Sequence, residues 1–105
     1  MFLKYKNMYK IIIPDYVMED IYKIKEYIFR MSFSMDTANK IYNEIMANIL
    51  TLKVFPSSYP IFKNNLRVLT VRKKYRVFYK INELNKEVKI YYIFWTEQDY
   101  NSIVH

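Results

Sequence analysis

The 105-residue chain contains no cysteine, no glycine and a single histidine. Without cysteine there are no disulfides and no thiolate metal ligands, which suits the cytoplasm. Without glycine there is no glycine-rich phosphate cradle, and each turn must be built from Asn, Asp, Ser, Lys or Pro. The lone histidine, His105, is the last residue, where chains fray. No spaced His, Asp and Glu set suggests a metal site, no Ser-His-Asp assembly can be drawn, and no cofactor is implied. The longest uncharged apolar run falls far short of a membrane span. The opening MFLKYKNMYKIII lacks a sustained apolar segment followed by a small-residue cleavage site, so export is not expected.

What is present describes a folded, soluble domain. Apolar residues make up 52% and aromatics 19%, too rich for disorder, and the length allows one core, so residues 1–105 form one domain. The net charge is +7, and its distribution is uneven. Between Glu44 and Glu83 every charge is positive: Lys53, Lys63, Arg67, Arg72, Lys73, Lys74, Arg76 and Lys80. Within that stretch LRVLTVRKKYRVFYK, residues 66–80, alternates apolar and basic residues and predicts a two-stranded element whose exposed face meets a polyanion or an acidic peptide. A solvated face that merely keeps the protein soluble is the plainer alternative.

The periodicities predict the order strand, helix, helix, strand, strand, strand. Tyr9 to Ile13 is a short apolar run stopped by Pro14, with Ile11 and Ile13 on one face and Ile12 on the other. Asp15 occupies a capping position before a helix of about residues 16–30, striped by Val17, Ile21, Ile24, Ile28 and Met31. Ser34 or Asp36 caps a second helix striped by Ala38, Ile41, Ile45, Ile49 and Leu52. The short connection makes the two helices an antiparallel hairpin. After an irregular crossing bracketed by Pro56 and Pro60, Leu69 and Val71 share one phase, as do Tyr75, Val77 and Tyr79, with Lys73 and Lys74 in the turn between. Strict alternation along the last strand puts Val88, Ile90, Tyr92 and Phe94 against Lys89, Tyr91, Ile93 and Trp95. Apolar on both faces, that strand should be central, with Tyr91, Ile93 and Trp95 lining an open groove. The fold class is α+β, a helical hairpin on one face of a mostly antiparallel sheet.

YKIIIPD at 9–15, ILTLKVFP at 49–56, LRVLTVRKKYRVFYKI at 66–81 and VKIYYIFWTEQDY at 88–100 together resemble the RelE/ParE superfamily of toxins from bacterial type II toxin-antitoxin modules. The resemblance implies a small toxin neutralised by a cognate antitoxin whose flexible tail wraps it. Some members cut messenger RNA on the ribosome, and others inhibit DNA gyrase without being nucleases. Three outcomes therefore stand open: a ribosome-dependent mRNA endonuclease needing no metal, a gyrase-directed inhibitor, or a degenerate module that only binds antitoxin.

RNA cleavage through the ribose 2′-hydroxyl needs activation of that hydroxyl, charge neutralisation at the phosphate and protonation of the leaving oxygen. Arg76 matches the family's strand arginine and Arg67 a basic position on the preceding strand, and both could hold a phosphate. In cleaving relatives a histidine or arginine follows the final strand, whereas this chain reads FWTEQDY. Glu97 is the carboxylate placed for general-base work there. Tyr100 could stack on a base or transfer a proton, or simply pack over the sheet. Arg72, Lys73, Lys74 and Lys80 read as electrostatic, and Tyr91 and Trp95 as groove contacts for nucleic acid or antitoxin.

Overall fold

The computed structural model describes residues 8–95. Strand β1 (Lys10–Ile12) leads into helix α1 (Asp15–Ser32), helix α2 (Met35–Leu50) and two 3₁₀ turns, Thr51–Lys53 and Pro56–Ser58. Strands β2 (Ile61–Lys63), β3 (Leu66–Val71), β4 (Tyr75–Asn82) and β5 (Glu87–Phe94) follow. They form one sheet in the order β1-β5-β4-β3-β2, antiparallel except where β1 lies parallel to β5. The α+β class, the helical hairpin and the central β5 are as the sequence predicts; β2 is additional.

Each helix buries the stripe that its spacing defines. Val17, Ile21, Ile24 and Ile28 of α1 meet Ala38, Ile41, Ile45 and Ile49 of α2, and both pack on Leu69, Val71, Tyr75, Val77, Tyr79, Val88 and Ile90 of the sheet. Met31 departs from the expected stripe and is exposed, while Tyr27 takes its place in the core. Pro14 rather than Asp15 is the N-cap of α1, without a side-chain capping bond, so Asp15 serves only as a negative charge in the first turn. Ser34 caps α2 as expected, its hydroxyl accepting the Thr37 N–H at 3.1 Å.

The missing glycines leave a mark on the turns. Phe33, Asn64, Asn65, Arg72, Lys73 and Lys86 all take positive φ. Asn64–Asn65 joins β2 to β3, and residues 72–74 join β3 to β4; in each, two consecutive positive-φ residues give the primed turn that matches strand twist. Lys73 and Lys74 lie in the second turn as expected, the Lys74 N–H closing it on the Val71 carbonyl at 3.1 Å, but Lys74 is only 6% exposed. Phe33 is the costliest of these positions: a bulky residue in the left-handed region, with its side chain 89% exposed and no packing in return.

Replacing Phe33 with glycine removes the steric cost at φ 55° without opening a cavity. The F33G variant is expected to be more stable by about 0.5–1 kcal/mol, seen as a higher urea midpoint at unchanged slope. A lower midpoint would mean that the Phe33 ring packs in solution.

Candidate functional site

A residue inserted into β5 decides which side chains reach the uncovered face of the sheet. Going down the β4–β5 ladder, Phe78 opposes Tyr92 but Tyr79 opposes Ile90, so Tyr91 is the extra residue of a β-bulge. Val88 and Ile90 face the helices before the bulge, and Ile93 faces them after it. The expected alternation therefore fails beyond Tyr91. Ile93 is buried, Trp95 packs against Tyr27 of α1 with ring centroids 5.4 Å apart, and Tyr92 and Phe94 are exposed in their stead. Of the three expected groove residues, only Tyr91 keeps part of its surface on the open side. The carbonyl of Tyr91 accepts the Tyr16 hydroxyl at 2.7 Å, tying the bulge to α1.

The open face carries an aromatic strip. Phe78 stacks on Tyr92 at 4.6 Å and meets Phe62 of β2 edge-on at 5.5 Å. Arg76, opposite Phe94 and Thr70, stands at one end of the strip. Lys80, opposite Lys89, stands at the other.

Arg67 is elsewhere. It opposes Tyr79, whose ring lies in the core beneath the helices, whereas Arg76 is three residues from Tyr79. An odd separation along a strand places side chains on opposite faces, with about 10 Å between the two positions along the chain. The Arg67 guanidinium donates to the carbonyls of Tyr59 at 2.7 Å and Ser57 at 3.3 Å, so it holds the crossing between α2 and β2 in place. Tyr79 works on the same crossing by donating its hydroxyl to the Pro56 carbonyl at 2.6 Å. Burial pushes the Tyr79 phenol up to about 12, and the neighbouring Arg67 charge pulls the other way without prevailing.

The basic stretch therefore does not form one face. Arg67 serves the crossing, Arg72 is ion-paired to Glu44 of α2, and Lys74 is buried. Lys73 is exposed in the hairpin turn, and Arg76 and Lys80 remain on the open face. The structure brings Arg76 and Lys80 together with aromatic side chains that strict alternation misassigns, namely Tyr92 and Phe94. Phe62 was missed with its strand, although the pair Asn64–Asn65 between two apolar runs is a hairpin signal. Glu97, Tyr100 and His105 lie outside the described residues.

A family model for the ParE toxin of the parDE type II toxin-antitoxin system matches residues 11–100. The chain belongs to the ParE toxin family. A search by sequence among curated proteins finds no match. Among solved structures, the toxin is similar to a chain of the chromosomal ParDE system from P. aeruginosa, with TM-score 0.72 and 17% identity over 87% of this chain and 99% of that one. It is also similar to a chain of the RelBE2 toxin-antitoxin complex from Mycobacterium tuberculosis, with TM-score 0.61 and 15% identity over 85% and 92% of the two chains. A mutant E. coli RelE toxin in the free state gives TM-score 0.60 at 9% identity, over 91% of this chain and 92% of that one. Identities this low speak for the shared fold, and the toxin's own surface must speak for its chemistry.

Two variants separate the arginines. Arg67→Ala strips donors from two carbonyls and should lower stability by about 1–2 kcal/mol, whereas Arg76→Ala, on an exposed strand position, should stay within about 0.5 kcal/mol in urea denaturation. Equal effects would contradict the assignment of Arg67 to the crossing.

Tyr79→Phe should cost about 1–2 kcal/mol near neutral pH by orphaning the Pro56 carbonyl. Because the folded-state pKa lies above the unfolded value of 10.0, the fold favours the neutral phenol. That contribution is intact below pH 10 and fades as the pH rises towards 12. The stability difference between wild type and Y79F should therefore shrink across that interval; a constant difference would show that the phenol titrates normally.

Proposed function

We propose that this ParE-family toxin inhibits DNA gyrase by binding it, without cleaving RNA, and that a cognate antitoxin neutralises it. The observation that carries this reading is the parity of the two arginines. With Arg67 turned into the crossing and Arg76 on the open face, the two cations do not flank one phosphate. Among the described residues, the side chains beside Arg76 on that face are Thr70, Phe78, Tyr92 and Phe94. They supply contact area and one fixed positive charge. Among these described side chains none is a hydroxyl activator or a leaving-group acid working near neutral pH. A surface of exposed aromatics with an arginine at its rim is the composition of a protein-binding hot spot. The family match points the same way, since the gyrase-directed branch of the superfamily bears the ParE name.

Antitoxin binding follows from the toxin's charge as well as its family. A net charge of +7 attracts an acidic segment, and the exposed Ile61, Phe62, Tyr92 and Phe94 offer apolar surface for it to cover.

The test is induction of the toxin in growing cells without antitoxin, with reporter-plasmid topology and messenger RNA ends mapped together. Altered supercoiling or DNA breaks without new ends inside translated codons is the expected result. New ends with supercoiling intact would make the toxin a ribosome-dependent nuclease, and neither change with full accumulation would leave an antitoxin-binding module. Arg76→Ala should abolish growth arrest at unchanged protein level; persistent arrest would remove Arg76 from the target surface.

A further inference from the structure

At the end of the sheet away from Arg76, two lysines face each other across the β4–β5 ladder. Lys80 and Lys89 are a directly opposed pair on the open face, and like charges in that position repel. Neither takes part in an ion pair among the described residues. Both ammonium groups instead sit 5.4 Å from the centroid of the Tyr91 ring, the ring that the β-bulge inserts beside them. Bulges commonly re-aim a side chain next to a functional site. The same residues line an open cavity of about 400 Å³ together with Ile12 of β1 and two carboxylates, Glu87 and Glu83. Glu83 is already engaged, accepting the Tyr9 hydroxyl at 2.6 Å and pairing with Lys86 at 3.7 Å, so the two cations at the opposed pair are not neutralised by it.

We infer that this cavity is a binding site for a terminal phosphate monoester, its phosphoryl group bridging Lys80 and Lys89. The cation–π contacts contribute about 0.5–1 kcal/mol each at exposed sites, but they satisfy none of the ammonium donors and do not cancel the mutual repulsion. A dianionic phosphoryl group does both, through charge-assisted hydrogen bonds. Ile12 gives the ligand's organic portion an apolar floor, and the Glu87 carboxylate accepts hydrogen bonds from hydroxyl or amino groups. Glu87 also repels any second phosphate placed beside the first. The site therefore favours one terminal phosphoryl group with a neutral, hydroxyl-bearing nucleoside next to it, which describes a nucleoside monophosphate or the 5′-phosphorylated end of a nucleic-acid strand, whose next phosphate lies a nucleoside away. The cavity volume falls within the range of small-molecule sites. This site is separate from the Arg76 end of the face and does not rest on the gyrase reading.

The experiment is calorimetric titration of the full-length toxin with AMP, adenosine, inorganic phosphate and a short DNA strand with and without a 5′-phosphate. AMP should bind and raise the melting temperature, adenosine should not, and the phosphorylated strand should bind better than its unphosphorylated counterpart if strand ends are the source. AMP binding with no difference between the strands would assign the site to the free nucleotide. Lys80→Ala and Lys89→Ala should each weaken AMP binding about tenfold, the loss of one charge-assisted contact. Lys89→Glu should abolish AMP binding while raising the melting temperature of the unliganded toxin, because it converts a repelling pair into an attracting one; that rise shows the variant is folded. As a control, Lys23→Ala with Lys40→Ala, exposed on the helices, removes two charges and should leave AMP binding unchanged. Absence of AMP binding, or equal weakening by the helix-surface control, would overturn the proposal.

Discussion

Strand β5 is hydrogen-bonded to antiparallel β4 along its length and to parallel β1 over Glu87–Lys89, and the helices press on one of its faces. Its first three residues, Glu87 to Lys89, therefore satisfy two strand neighbours and one layer at once, and the rest satisfy β4 and the helical layer. The bulge at Tyr91 reconciles these demands. In unbroken alternation with Val88 and Ile90, Tyr92 would point at the helices and Ile93 at solvent. The inserted residue instead buries Ile93, worth about 1.5–3 kcal/mol for a side chain of that size. It also leaves the polar edge of Tyr92 wet. The Tyr16 hydroxyl then anchors the bulge carbonyl to α1, so the local break in the ladder is held from the helical layer.

The same parity rule governs the charges. Sequence distance along β3 and β4 makes Arg67 and Arg76 look like members of one basic face, yet position in a sheet is set by register and by odd or even spacing. Arg67 lies opposite a core tyrosine and ends up gripping carbonyls of the crossing, which carries polar backbone groups that need partners. Arg76 lies opposite an exposed threonine and stays free of that duty. One arginine maintains the scaffold and the other is available to a partner. Arg72 is likewise absorbed, by Glu44 of α2. A run of eight cations in the sequence thus reduces to a few on the open face.

Most of the scaffold was legible because it depends on short-range periodicity. The helix stripes, the Ser34 cap, the faces of β1 and the phase shared by Leu69, Val71, Tyr75, Val77 and Tyr79 all follow from spacing of three, four or two. What escaped is what spacing cannot encode. A bulge resets the period without any composition signal, so Trp95 and Tyr92 exchanged faces. Strand β2 is three exposed residues long, too short for alternation to register, and only the Asn64–Asn65 turn announced it. The candidate site suffered most, since its membership depends on the face rather than the sequence neighbourhood of each residue.

The open face joins two chemically different ends through one aromatic strip. Arg76 beside Phe94 presents a single fixed charge on a flat, apolar surround, suited to being covered by a protein surface. Lys80 and Lys89 present two opposed charges at a cavity whose wall also carries Glu87 and the already engaged Glu83, suited to a small anion. Phe78 and Tyr92 stack between them and are rigid, each ring braced by the other. Anything that covers the strip from the Arg76 side must approach the lysine pair, about four residues or roughly 13 Å further along β4. Occupancy of the cavity by an anion would remove positive charge from one end of the surface that an acidic partner approaches. No residue belongs to both ends, yet the bulge that sets the Tyr91 ring beside the lysines is the same one that turns Tyr92 and Phe94 outward.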